Sequence, residues 1–379
     1  MITFYSIVCI LLSLFYLKLI VFYLKGWLKT SEKHLNPNLK PNIKVSIIVS
    51  GRNEEENVEK CLKSLENQTY QKSNYEILFV NDFSEDNTLA LASKFKSVTL
   101  LNLEEFLSED FREKANKKRA ITIGVEKASY EVIITCDADC FYGENWLESF
   151  LQKYEKNHYK LITAPVVFVR EDGIFSKFLE LDLISLIGIT CGSIKNLEPN
   201  MVNGANMLFE KKAFEEVEGF KGNEKIPSGD DIFLMQKIDK KHKGAIAFLK
   251  NKEAIAYTNA PNSFSEFVNQ RIRWTSKSVK HADRKVRVVL TLNYLFYLVL
   301  FLNLFVFSLQ SLTYLNIGIG MFMVKLIIDA IFFKNLLLFF DRMDIFKYLI
   351  IIELIHLVYI SLLGVFSVYG KYTWKGRTV

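Results

Sequence analysis

The sequence predicts an α/β domain with a mostly parallel sheet, held between apolar segments able to cross a membrane. Three observations predict it. Apolar residues make up 50% of the 379 and charged residues 24%, yet the apolar excess is concentrated at the two ends. Between the ends, short apolar, β-branched runs alternate with amphipathic helical stretches, as in a parallel sheet covered by helices on both faces. Acidic residues stand where those strands run out, which is where such sheets bind ligands. The composition excludes disordered, collagen-like and small disulfide-bonded classes.

From Ile2 to Leu24 the chain is apolar except for Lys18, and Lys25, Lys29 and Lys33 follow. This predicts a transmembrane anchor over residues 1–25, retained because neither a charged leader nor a small-residue cleavage site marks a secretory signal. Val288–Leu309, Leu312–Phe333 and Ile345–Tyr369 are three further apolar runs, giving a membrane domain of about three helices over 286–379. Lys325 and Asp329 lie four apart in the middle run and can pair on one helix face. The soluble stretch, 42–285, is flanked by Lys25, Lys29, Lys33 and Lys40 and by Lys280, Arg284, Lys285 and Arg287. The positive-inside rule then places it in the cytoplasm. Counting four spans leaves Lys371, Lys375 and Arg377 outside, so the reading allows one span to be re-entrant or interfacial. The net charge of +6 suits anionic head groups beside these spans, and no nucleic-acid partner is expected. Five cysteines without a CxxC pair predict reduced, buried thiols.

Within the soluble stretch, strands are expected at Val45–Ser50, Tyr75–Val80, Val98–Leu103 and Glu131–Thr135. Helices are expected at Glu54–Asn67, Glu85–Phe95 and Glu113–Ala128. Phe175–Ile189 reads as an interfacial or core helix. Asp82 follows the strand EILFV, and Asp137 and Asp139 follow VIIT. Two carboxylates one residue apart repel unless a cation joins them, and a hard divalent ion such as Mg²⁺ or Mn²⁺ fits that need. Because Mg²⁺ takes one or two carboxylates plus phosphate oxygens, the pair predicts a metal-bound phosphate or diphosphate. The plainer readings are a solvated turn at Asp137 and a capping turn formed by Asp82, Ser84 and Asp86.

Five segments in order, VSIIVSGRNEEENVEKCL, FVNDFSEDNT, CDADC, VNGANMLFEKKAFEEVEGF with SGDDIFL, and QRIRW, resemble an inverting nucleotide-sugar glycosyltransferase of family 2. The resemblance is to membrane-anchored members related to cellulose and hyaluronan synthases, and it spans about residues 44–275. It implies a GT-A-like, Rossmann-like domain. It also implies that Asp82 holds the nucleotide base or ribose, with Arg52 and Glu54 lining the same pocket. Asp137 and Asp139 are similar to the family's metal-binding pair and Lys117 to a lysine near the diphosphate, although Asn116 and Arg119 stand where glycines are usual. Asp231, with Leu234 three residues later and Asp230 before it, resembles the general base.

An inverting transfer needs such a carboxylate to take the acceptor hydroxyl's proton while the metal stabilises the departing charge. In QRIRW, Arg273 can grip phosphate bidentately, Gln270 can bond phosphate or sugar, and Trp274 offers a stacking face. At helical spacing these three share one side. The alternative for this segment is an amphipathic helix on the membrane. Gly204 and Gly219 read as tight turns beside the acceptor site rather than a phosphate cradle. His356, in an apolar run, reads as a packed residue.

The reading is a membrane-bound inverting glycosyltransferase moving sugar from a nucleotide-sugar donor to a lipid, lipid-linked or polysaccharide acceptor, in the cytoplasmic membrane of a bacterium. A transporter or channel whose nucleotide-sugar-binding domain lacks catalysis is the alternative. The donor sugar, the nucleotide and the oligomeric state stay open.

Overall fold

The computed structural model describes residues 2–107, 117–223, 229–279, 284–369, 373–374 and 377–378. A long helix α1 (Ile2–Lys29) leads into alternating strands and helices: β1 (Val45–Gly51), α2 (Val58–Glu66), β2 (Tyr75–Asn81), α3 (Thr88–Ala92), β3 (Val98–Asn102), α4 (Lys117–Lys127) and β4 (Val132–Asp137). There follow β5 (Cys140–Tyr142), α5 (Trp146–Asn157), β6 (Leu161–Thr163), β7 (Val166–Phe168), α6 (Ile174–Lys195), β8 (Asn206–Glu210), α7 (Lys211–Glu216), α8 (Asp230–Lys241), β9 (Ile246–Phe248) and β10 (Ala256–Thr258). Helices α9 (Phe264–Val279), α10 (Arg284–Phe305), α11 (Leu312–Phe339) and α12 (Leu349–Tyr369) complete the order.

The main sheet has seven strands in the order β3-β2-β1-β4-β8-β6-β9. It is mostly parallel, with β8 inverted between β4 and β6. Successive β1 residues explain why the strand reads as a continuous apolar run. Val45, Ile47 and Val49 enter one core and Ile48 the opposite one, so both faces are covered. The register sets Gly51 beside Asn81 and Ser50 beside Asp137, so β1, β2 and β4 finish at one rim.

The helices differ from expectation at their starts. Helix α2 begins at Val58 rather than Glu54, because Asn53 takes φ 53° and the Glu54 N–H donates to Thr88 Oγ1 at 2.7 Å. Helix α3 is confined to Thr88–Ala92 because Asp86 accepts from the Thr88 N–H at 3.0 Å. That makes Asp86, not Asp82 or Ser84, the residue that caps it. The expected start of the next helix, 113–116, lies outside the described residues.

Among the described residues, four helices are long and apolar enough to cross a membrane: Ile2–Lys29, Arg284–Leu309, Leu312–Phe339 and Met343–Leu362. Lys325 reaches Asp329 at 2.7 Å, as its spacing suggested, and also pairs with Glu353. The Tyr16 hydroxyl donates to Asp329 at 2.8 and 2.7 Å, tying α1 to α11. Helix α6 is core rather than surface: it crosses α1 where Gly26 meets Gly192, with no room for a side chain at either position. Helix α12 touches α6 and α9 in its first half. Tyr348 just before it lies under Lys177, His356 approaches Asp182 at 3.4 Å, and the Tyr359 ring meets Phe178 and Phe267. Farther on, the Ser361 carbonyl accepts from the Tyr294 hydroxyl, and Gly364 packs on the Tyr294 ring.

Candidate active site

The rim where β1, β2 and β4 end opens into one cavity of about 1330 Å³. All eleven residues singled out in the sequence line it: Arg52, Glu54, Asp82, Lys117, Asp137, Asp139, Asp230, Asp231, Gln270, Arg273 and Trp274.

Arg52 is buried and donates to the carbonyls of Asp82 and Phe83 at 3.1 and 3.0 Å. It clasps the turn after β2, in which Phe83 holds φ 53°. Glu54 accepts from Asn57 at 3.1 Å. Asp82 is buried where its own N–H bonds the Gly51 carbonyl at 2.9 Å, fixing it against the end of β1.

Lys117 opens α4 and ion-pairs with Asp137 and, at 3.6 Å, with Asp230. Three segments distant in sequence thus meet through one ammonium. Burial alone would lower the Lys117 pKa, but the charges of Asp137 and Asp230 outweigh it and raise it. At Asp137 the balance is opposite: burial raises the carboxyl, Lys117 offsets part of this, and Asp139 adds repulsion. Asp139 lies partly exposed on the turn between β4 and β5. Among the described residues no three His, Cys, Asp or Glu side chains are grouped to hold an ion by themselves. A hard cation on Asp137 and Asp139 would therefore complete its shell with phosphate oxygens and water, as Mg²⁺ commonly does.

Asp230 and Asp231 form the first turn of α8, after Gly229 at φ 85°. Asp231 Oδ1 accepts from the Ile232 N–H at 2.8 Å, so it serves the helix end alongside its place in the cavity wall. Gly204 lies in the tight turn expected, since the Asn206 N–H donates to the Asn203 carbonyl at 3.1 Å, and it also abuts the acidic cluster. A Cβ there would stand 3.0 Å from Asp230 Oδ2, 3.3 Å from the Asp231 Cβ and 3.4 Å from Lys117 Nζ, so the glycine allows the backbone to press against the cluster. Gly219, at φ 47°, also serves a turn.

The sequence reading missed Arg271. It is buried, pairs with Asp182 of α6, and lies over the Phe267 and Trp274 rings at 5.0 and 4.2 Å. Burial raises the Asp182 pKa, but the Arg271 charge together with the hydrogen bond and charge of His356 outweighs it and lowers the carboxyl below its ordinary value. Trp274 therefore covers an ion pair as well as facing the cavity. His356 meets the same Asp182, so the packed role read for it is joined by a polar one.

Residues 46–218 match the model of glycosyl transferase family 2. Glycosyltransferase AglE of Haloferax volcanii is 35% identical over 127 residues, 34% of this chain and 40% of that protein. Poly-beta-1,6-N-acetyl-D-glucosamine synthase of Staphylococcus aureus is 27% identical over 229 residues, 59% of this chain and 51% of that protein. The chain thus spans about half the length of these relatives or less. The mannosyltransferase PcManGT from Pyrobaculum calidifontis, solved with GDP-Man and Mn2+, superposes with a TM-score of 0.56 at 16% identity, covering 92% of this chain and 97% of that one. That likeness establishes the GT-A-like fold.

Proposed function

We propose, from the match of residues 46–218 to the model of glycosyl transferase family 2, that the chain transfers sugar from a nucleotide-sugar donor to an acceptor at a membrane. One observation carries the reading: five carboxylates from distant segments, Asp82, Asp137, Asp139, Asp230 and Asp231, line one cavity beside Lys117. So many acids in one place suit a site built for a metal-bound diphosphate.

In this reading Asp82 receives the base or ribose, with Arg52 holding its turn and Glu54 beside it. Asp137 and Asp139 would hold Mg²⁺ or Mn²⁺, which supplies charge neutralisation at the leaving diphosphate. Lys117 adds a fixed positive charge at the same place, and Gln270 and Arg273, lining the same cavity, offer hydrogen bonds to phosphate. Asp231 takes the proton of the acceptor hydroxyl, Asp230 and Lys117 fix its surroundings, and Trp274 closes the acceptor side. The name of the Staphylococcus aureus relative, a synthase of poly-beta-1,6-N-acetyl-D-glucosamine, supports a saccharide among the acceptors to be tried. The architecture proposed is an anchor at 1–25, a catalytic domain at 42–285 and a membrane domain at 286–379. The basic flanks favour the cytoplasmic side of a bacterial inner membrane for the catalytic domain.

The test is release of nucleoside diphosphate by the purified full chain, given Mg²⁺ or Mn²⁺ and a panel of UDP-, GDP- and TDP-sugars. Asp231→Asn and Asp139→Ala should each lower turnover by at least about 100-fold, a scale typical of losing an acid-base group. Chelation should abolish turnover and added Mn²⁺ restore it. Turnover unaffected by both substitutions would overturn the assignment.

A further inference from the structure

The cavity that contains Asp231 does not stop at the carboxylates. It continues between α1, α6 and α10, where Leu19, Ile20, Leu186, Ile187, Val288 and Leu290 form its wall. Val288 and Leu290 also remain 49% and 40% exposed on the molecular surface. A residue that both lines a cavity and faces outward marks an opening, and this one lies in the first turns of an apolar helix. Arg284 and Arg287 line the same edge and are exposed, a charge that matches the anionic surface of a bilayer.

The cavity reaches only part of the way along the helices. Among the described residues, none of α1 before Tyr16, of α10 after Tyr297 or of α11 before Asp329 lines it. At that level Asp329 and Glu353 are joined by buried Lys325, and Tyr16 bonds Asp329. An apolar-walled recess, open sideways and closed by an ionic group, suits a chain that enters from the lipid and leaves the same way. A growing polymer would need a continuous, wetter route.

Resting on the transferase reading, we infer that the acceptor is a membrane lipid with a hydroxyl head and a long apolar chain, the chain lying between α6 and α10 and the head reaching Asp231. The hydroxyl oxygen forms the new bond to the anomeric carbon as the bond from that carbon to the diphosphate breaks. The proton passes to Asp231 and the nucleoside diphosphate leaves with the electron pair.

The experiment places the full chain in nanodiscs of phosphatidylcholine and phosphatidylglycerol with a primary alcohol of roughly twenty carbons carrying a diazirine near its end. Crosslinks should map to α6 and the first half of α10. Unlabelled long-chain alcohol should compete at least about tenfold better than an alcohol of about eight carbons, since each buried methylene favours the longer chain. Leu186→Trp and Leu290→Trp, each confirmed folded by its thermal transition, should both cut this crosslinking severalfold. With a labelled nucleotide sugar, the label should pass into an organic-extractable product. Crosslinks confined to outward residues such as Ile319 and Ile327, or unchanged in both variants, overturn the proposal. So does label appearing only in soluble oligosaccharide. Nucleoside diphosphate release without the mapped crosslinks sinks this proposal and leaves the transferase reading standing. Mapped crosslinks without turnover of any donor sink the transferase reading instead.

Discussion

At Gly204 the backbone runs so close to Asp230, Asp231 and Lys117 that a methyl group would have to displace one of them. Because the flexible Lys117 ammonium and the Asp230 carboxylate can give by a few tenths of an ångström, Gly204→Ala should fold. Its transfer rate should fall by about tenfold or more, since small misplacements of reacting groups cost rate steeply. Steady-state kinetics beside a thermal melt will separate this from simple destabilisation. A second expectation concerns Cys61, Cys136 and Cys140, which lie buried behind the acidic turn. Burial raises all three thiols, and neighbouring carboxylates add to this at Cys61 and Cys140. The thiolate is the reactive form, so alkylation in the native state should be negligible and become complete on unfolding, as read by mass spectrometry. The carboxylates were legible in the sequence because each sits at a strand end or a helix start. Arg271 was not, because its partner Asp182 belongs to a different helix and no local spacing reveals that contact.

Among the elements, the first four strands were readable to within a residue or two, since two-sided burial makes them uninterrupted apolar runs, whereas β5 to β10, of three to five residues each, were too short to show a pattern. Helix starts were less so. Asn53 and Asp86 divert the backbone with left-handed geometry and a side-chain cap, and both are ordinary polar residues to a periodicity argument. Helix α6 was ambiguous because an apolar stretch with three charges fits either a core or an interface. Its decisive feature is the crossing with α1, where Gly192 faces the Tyr23 backbone and Gly26 faces Gly192. Small residues at such a crossing let backbones meet closely. Gly192→Leu should force the helices apart at a cost of about 1–3 kcal/mol, seen as a lower melting temperature in detergent. Gly143→Ala, where nothing stands within reach of the added methyl, provides the control.

For the whole molecule, the contacts of α12 bear on how many times the chain crosses. A helix rises 1.5 Å per residue, so Tyr348 and Tyr359 would lie about 16 Å apart in depth if α12 ran straight across the bilayer. Yet both touch α6, and Tyr359 also touches α9. The partners on α10, Tyr297 against His356 and Tyr294 against Gly364, span one turn of α10 but more than two of α12, so α12 crosses α10 at an angle instead of running alongside it. The expected arrangement is three crossing helices with α12 lying along the membrane-facing side of the catalytic domain. Composition alone could not distinguish this, because an apolar helix bound to protein and one in lipid read alike. Cysteines introduced as Thr378→Cys and Lys243→Cys should then react with an impermeant maleimide from the same side of sealed vesicles. Labelling from opposite sides would restore the fourth crossing.

The bond from Tyr16 to Asp329 joins residues 313 positions apart in the chain. Helix α1 therefore has no such partner for its hydroxyl until α11 has been made. A nascent product arrested before α11 would lack one side of the recess beneath the catalytic rim, so the recess is assembled only after the whole catalytic domain has been synthesised.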